Sequence, residues 1–299
     1  RCHSYVARRC PHHGDFDSMP LFAFSFLRHS AAGYGKLLSA GTVNGRTDTE
    51  IMIQLLTGFA AKQLLQREAE HPQLAKIQAL LKAYGTEYDF CRFYRQNLDE
   101  NDTAYMCKLD DSGVLWVGEH SNIQEWTDFI GMAGLSEISV AGKNGFELQN
   151  NDTAYTCQSG NIFVKLSSRS PADIEKEKTT SLSQVFEVVS RCFPNLTQKQ
   201  FDGWYCDISH RIRHGVCKAF LHRESAAAVV LSYGQTAIIS QFCVLPEYRG
   251  HGVGSQLIKI IESVYSGQKL VVFSKDEASD DFYRKNRFLP AERWFTLHR

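Results

Sequence analysis

The run Val244-Leu245-Pro246-Glu247-Tyr248-Arg249-Gly250-His251-Gly252-Val253-Gly254-Ser255 decides how this chain reads. Before it, Ala237 to Leu245 is apolar and β-branched, the pattern of a strand; after it, Gln256 to Tyr265 repeats apolar residues at helical spacing. A strand, a glycine-dense turn and a helix bring consecutive backbone N–H groups to a helix N-terminus. There the unpaired donors and the positive end of the dipole favour an anion. Glycines suit such a turn because the backbone takes angles that a Cβ disfavours and the ligand must come close. The expected ligand is a phosphate or diphosphate. The spacing G-x-G-x-G departs from the dinucleotide fingerprint G-x-G-x-x-G and lacks the Lys-Ser/Thr ending of a nucleoside triphosphate loop.

The same run fits R-x-x-G-x-G, read as Arg249, Gly252 and Gly254. That pattern resembles the acetyl-coenzyme A loop of the GNAT acetyltransferase superfamily, and Val244 to Tyr248 is similar to the strand end that precedes it there. Further on, an apolar strand, Lys269 to Phe273, leads to Phe282-Tyr283-Arg284-Lys285-Asn286-Arg287-Phe288. This resembles the closing helix of the family, with its F-Y-x-x-x-G-F signature. Two positions depart from the family pattern: Asp276 stands where Asn is common, seven residues before the tyrosine, and Arg287 stands in place of Gly. Arg at that glycine position would be strained if the backbone there has positive φ.

The resemblance covers Thr180 to Arg299. It implies an α/β domain with a mixed central sheet and acetyl-CoA as cosubstrate. The diphosphate would lie on Arg249, Gly250, His251, Gly252, Val253, Gly254 and Ser255. The pantetheine arm would follow the strand edge at Phe242, Cys243 and Val244, whose main chain also polarises the thioester carbonyl. Tyr283 would protonate the departing thiolate. The implied reaction is transfer of an acetyl group to a primary amine. The alternative from another class is a non-catalytic acyl-CoA sensor or interaction module that keeps the loop and lacks turnover.

No general base for the amine is identified by pattern. Glu247 beside the loop reads as a solvated turn residue, and Glu224, His210, His214 and His222 as structural or exposed groups. Cys243 reads as a small apolar core residue because no His or Asp is patterned to activate it. Arg211, Arg213 and His214 form a basic cluster expected in a solvated turn, with a contact to the coenzyme's phosphate as the alternative.

Composition narrows the partners. Of 299 residues, 33 are basic and 33 acidic, so the overall charge recruits neither nucleic acid nor an anionic membrane. Hydrophobic residues at 43% and charged residues at 22% are those of a globular chain with a sizeable core. The nine cysteines are scattered without a CxxC pair, which argues against a disulfide framework and a zinc cage and fits a cytoplasmic protein without a metal. No apolar run approaches the roughly 18 residues that cross a bilayer.

Length predicts two domains, at roughly 150 residues each. Residues 1–50 lack periodicity and read as a flexible N-terminal extension, with Met52 an alternative start. Residues 51–166 read as a smaller α/β domain, either shaping the acceptor cleft, mediating a homodimer, or forming a degenerate copy of the same fold. Within it, Ile51 to Ala69 and Pro72 to Tyr84 have helical spacing, Asp110 to Gly113 forms a hairpin turn, and Ser121 with Gln124 suggests a capping box. Asn101 to Tyr105 recurs as Asn151 to Tyr155, which reads as two polar turns entering similar strands. The polar stretch 167–180 reads as the linker, and 181–299 as the acetyltransferase-like domain.

Overall fold

The computed structural model describes residues 71–85, 91–99, 102–118, 121–141, 155–168 and 180–299, all within one compact unit. The expected helix 51–69, the extension 1–50 and most of the linker lie outside these residues. In chain order the elements are α1 (Pro72–Tyr84), β1 (Cys91–Asp99), β2 (Asp102–Leu109), β3 (Ser112–Trp116), α2 (Ile123–Met132), β4 (Glu137–Ala141) and β5 (Thr156–Leu166). The second half follows with α3 (Leu182–Cys192), α4 (Phe201–Arg213), β6 (Cys217–His222), β7 (Ala226–Tyr233), β8 (Thr236–Val244), α5 (Val253–Val264), β9 (Lys269–Ser274), α6 (Glu277–Lys285) and β10 (Leu289–His298).

The strands form one mixed sheet of ten, ordered β1-β2-β3-β4-β10-β5-β9-β8-β7-β6. The β3–β4 and β8–β9 pairs are parallel and the rest antiparallel. Read inward from either edge, the order is the same. A three-stranded meander is followed by a parallel strand reached through a helix, as a parallel neighbour requires. The last strand of each half then crosses the centre: β5 pairs with β9 and β10 pairs with β4. The two halves are thus copies of one topology that have exchanged their final strands. The mixed central sheet is the one expected, and it continues across the division expected at 167–180.

Alternate residues of β8 define the two faces. Ile239 packs against α5 through Leu257, Ile258 and Ile261, whereas Ile238 faces the side on which Ala75 of α1 lies. Helix α1 is buried on nearly all sides, its small Ala75, Ala79 and Ala83 allowing close approach and Ile77, Leu80 and Leu81 reaching Phe93, Tyr105 and Val114. The exchanged strand β5 is fastened to the second half by Lys165, which pairs with the buried Glu262 of α5 and donates to the Asn286 carbonyl at 2.9 Å.

Local signals differ in how they were realised. The hairpin joining β2 and β3 turns on Asp110-Asp111, with Asp110 at φ 51°, as a two-residue loop demands. Helix α2 begins one residue later than the capping-box pattern predicts: Asn122 is the N-cap, its side chain accepting from Glu125 N at 3.2 Å, while Ser121 Oγ accepts from Gly118 N. Of the repeated Asn-Asp-Thr-Ala-Tyr motif, Asp102 to Tyr105 of the first copy fall within β2; Asn101 and residues 151–154 of the second copy lie outside the described residues.

Helix α6 ends in a Schellman motif, with Phe288 N donating to Tyr283 O and Arg287 N to Arg284 O. Arg287 occupies the left-handed position at φ 64°, where a Cβ is costly. Arg287→Gly is therefore expected to raise stability by about 1 kcal/mol, net of the extra freedom glycine gives the unfolded chain. A thermal melt should shift upward by about 2–4 °C, and a downward shift would refute the strain.

Candidate active site

The site begins with two parallel strands that part. Strands β8 and β9 are hydrogen-bonded from Thr236↔Lys269 to Ile239↔Val272, where the pairing stops although β8 continues to Val244 and β9 to Ser274. The cause lies on the other edge of β8. Its register with β7 shifts between Ala227↔Cys243 and Val229↔Ser240, so β8 holds one extra residue there. Gln241, at φ 48°, lies in this bulge, which bends the strand away from β9. The indole N–H of Trp204 on α4 donates to Gln241 Oε1 at 2.9 Å and holds the bulge. Beyond it, Phe242, Cys243 and Val244 have no β9 partner. Phe242 leans on Phe282 and Tyr283, with centroids 5.5 and 6.3 Å away, while the Cys243 side chain turns into the core beneath α3, where burial pushes its thiol pKa up.

The glycine loop closes the wide end of this fork. After a single 3-10 turn at Pro246–Tyr248, Arg249 Nε donates back to the Val244 carbonyl at 3.0 Å. Gly250 and Gly252 follow at φ 78° and 77°, and α5 starts at Val253, earlier than the sequence pattern suggested. No side chain caps this helix, and the backbone N–H groups of Gly250 to Ser255 have no partner among the described residues. Gly254 has its own constraint: a Cβ there would meet the Phe282 ring and Val244 at 3.2 Å. Exposed donors at a helix N-terminus, framed by positive-φ glycines, have the chemistry of an anion cradle.

Tyr283 of α6 forms the wall between loop and fork. Its ring is 7% exposed and packs among Phe163, Phe242, Phe282 and Phe288. Its hydroxyl makes no hydrogen bond among the described residues and is not a sealed atom, so it reaches solvent-accessible space. Burial, reinforced by the charge of Asp276, raises its pKa and keeps the phenol neutral.

Asp276 itself is the N-cap of α6, accepting from Ser279 N at 2.8 Å. Those Ser279 bonds hold its carboxyl below the ordinary range. A lowered pKa gives stability that is present above the unfolded value near 3.9 and is lost as pH falls through the folded value. Asp276→Ala should accordingly cost about 1 kcal/mol near neutrality. The gap between parent and variant melts should narrow as pH falls below about 3.9; a gap that does not narrow there would exclude the ionised cap.

The other titratable candidates go elsewhere. Glu247 is exposed and pairs with Arg191 at 2.6 Å; its own backbone N–H and then Arg191 hold its carboxyl down. Glu224 sits in the exposed β6–β7 turn, and His222 meets Gln256 Oε1 at 3.0 Å beside the first turn of α5. The basic cluster expected in a solvated turn divides. Arg213 and His214 are exposed, but Arg211 is half-buried against Asp207 at 2.8 Å and lies over the Tyr84 ring. Tyr84 also donates to Asp207 and stacks on His210. A contact between residues more than a hundred positions apart has no local signature, so the sequence reading missed it, as it missed Gln241 and Trp204.

The corresponding place in the first half is built differently. There the parallel pairing of β3 and β4 runs to Trp116↔Ala141 and continues with Val117 N donating to Ala141 O at 2.9 Å. Gln73 Nε2 bridges the two strands through Leu115 O and Ser139 O, and the side chain of Asn122 occupies the start of α2.

The site is thus a forked sheet with an uncapped glycine loop and a closing aromatic helix in an α/β fold. Residues 212–288 match the family described as acetyltransferase (GNAT) domain, so the chain carries a GNAT acetyltransferase domain in its second half. Comparison with curated proteins gives no match. Among solved structures, the chain is similar to a tandem GNAT protein from the clavulanic acid biosynthesis pathway, at 11% identity over 84% of this chain and 95% of that one, TM-score 0.49. It is also similar to GCN5-related N-acetyltransferases from Sphaerobacter thermophilus (11% identity, 83% and 91%, TM-score 0.46) and Kribbella flavida (11% identity, 81% and 95%, TM-score 0.47). Among the described residues no helix is long and apolar enough to cross a membrane, and no group of three or more His, Cys, Asp or Glu could hold a metal ion.

Proposed function

We propose that the chain is an N-acyltransferase that moves an acetyl group from acetyl-CoA to a primary amine. The observation that carries this reading is the fork: β8 leaves β9 after Ile239↔Val272, beside a helix whose first amides are free. In this reading the N–H groups of Gly250 to Ser255 hold the diphosphate, and the unpaired edge of Phe242 to Val244 takes the pantetheine arm as a further strand would be taken. A main-chain N–H on that edge polarises the thioester carbonyl. The Tyr283 hydroxyl, neutral and without a competing acceptor among the described residues, supplies the proton to the departing thiolate. The acceptor nitrogen must arrive unprotonated; with Glu247 engaged by Arg191, its proton passes to water in this scheme.

Thiol release from acetyl-CoA, measured over a panel of primary amines, tests the proposal. Release that depends on at least one amine supports it. Acetyl-CoA binding with no release for any amine would favour a sensor over an enzyme, and no binding at all would overturn both.

A further inference from the structure

We propose that Cys192 and Cys243 form a reversible disulfide, a modification site that adjusts the edge of β8 beyond the bulge. Its effect on coenzyme binding rests on the acyltransferase reading; the disulfide chemistry does not. Cys192 closes α3, and Cys243 lies in the segment of β8 that has no β9 partner. Both are free thiols in one packed cluster, Cys243 buried and Cys192 half-buried. Cys243 Sγ lies 4.0 Å from the carbonyl of Val188, the residue one helical turn before Cys192, and the two thiols interact. A second pair, Cys91 and Cys107, also interacts across β1 and β2, but both are 0% exposed and closed to reagents. Among the described residues, only the pair at β8 combines a reachable thiol with a buried partner.

The oxidant is a low-molecular-weight disulfide such as glutathione disulfide. The Cys192 thiolate attacks one of its sulfurs, forming a mixed disulfide and expelling one thiolate. Cys243 then gives up its proton and attacks the Cys192 sulfur, expelling the second thiolate, which takes that proton. Two protein thiols are oxidised to one disulfide while the small disulfide is reduced to two thiols. Burial of Cys243 makes the second step the slow one. The bond, about 2.05 Å long, is far shorter than any thiol contact, so it draws Phe242 to Val244 toward α3. Displacements on the order of 1 Å suffice to degrade a positioned edge.

The full chain is equilibrated with graded ratios of glutathione disulfide to glutathione, blocked by alkylation and mapped without reduction. A peptide linking Cys192 to Cys243, removed by dithiothreitol, is expected, with Cys91 and Cys107 recovered as free thiols after denaturation. Titration with acetyl-CoA should show an affinity about tenfold lower in the oxidised parent. Cys192→Ser, treated identically, should keep the affinity of the reduced parent. Absence of the linked peptide at every ratio overturns the proposal, as does a linked protein whose affinity is unchanged. A reduced parent that binds no acetyl-CoA, yet forms the linked peptide, sustains the disulfide and refutes the acyltransferase reading instead.

Discussion

Gly252→Glu is expected to lower acetyl-CoA affinity by a factor on the order of 10²–10³ while the protein stays folded. Gly252 is the N-cap of α5 at φ 77°, and a Cβ built there meets nothing within 4 Å, so a longer side chain projects into open space at the mouth of the cradle. A carboxylate in that place repels a diphosphate at close range and competes with it for the free amides. The fold should survive: the left-handed angle costs a non-glycine residue about 1–2 kcal/mol, and the negative charge at a helix N-terminus returns part of that. Gly252→Gln separates the causes, since it carries the same strain without the charge. Titration calorimetry on all three proteins, with circular dichroism as the folding control, should place Gln between parent and Glu, and added salt should narrow the gap between the two variants. Binding by the Glu variant at parental strength would move the ligand away from this loop. Equal losses for Glu and Gln would assign the effect to backbone strain.

What the sequence revealed and what it concealed divide along contact range. The glycine loop, the strand before it and the closing helix are each written in fewer than a dozen consecutive residues, and their backbone angles follow from residue type. Even the departure at Arg287 was readable, since the position takes the positive φ that glycine would serve. The fork was not readable. It needs an extra residue in β8 measured against β7, and Gln241 has no composition that marks a bulge. The exchange of β5 and β10 was equally hidden, because an apolar alternating strand does not say which neighbour it will choose. Placing the boundary at 167–180 followed from local polarity, whereas β5, just before it, completes the sheet between β9 and β10.

The repeated topology also explains why only one half advertised a site. Both halves have a meander, a parallel crossover and a bridging helix, but the first half zips its parallel pair to the end of β4 and adds a glutamine across it. A sheet that closes there has no free edge to offer. With α1 buried between the sheet and α4, the first half supports the second through packing and through the Tyr84, Asp207 and Arg211 contact.

Tyr283→Phe is expected to reduce kcat by about 10²-fold and to leave acetyl-CoA affinity within about twofold. The ring keeps its place, since its neighbours at 5.3 to 6.3 Å touch carbon. Removing the hydroxyl orphans no partner among the described residues. A loss confined to turnover therefore reports the proton it would deliver, whereas a core residue would alter stability and leave kcat unchanged. The direction of the pKa shift adds an independent check. A phenol whose folded pKa is raised contributes stability that is complete below the unfolded value near 10 and is lost as pH rises through the folded value. The parent should therefore lose melting temperature above about pH 10 in a part that the Phe variant does not share. On the kinetic side the parent should show no alkaline fall in rate from this group across the neutral range, because burial keeps it protonated while the acceptor amine becomes increasingly nucleophilic. Unchanged kcat in the variant, with the alkaline difference in stability present, would make Tyr283 a buried core phenol and move the general acid to solvent.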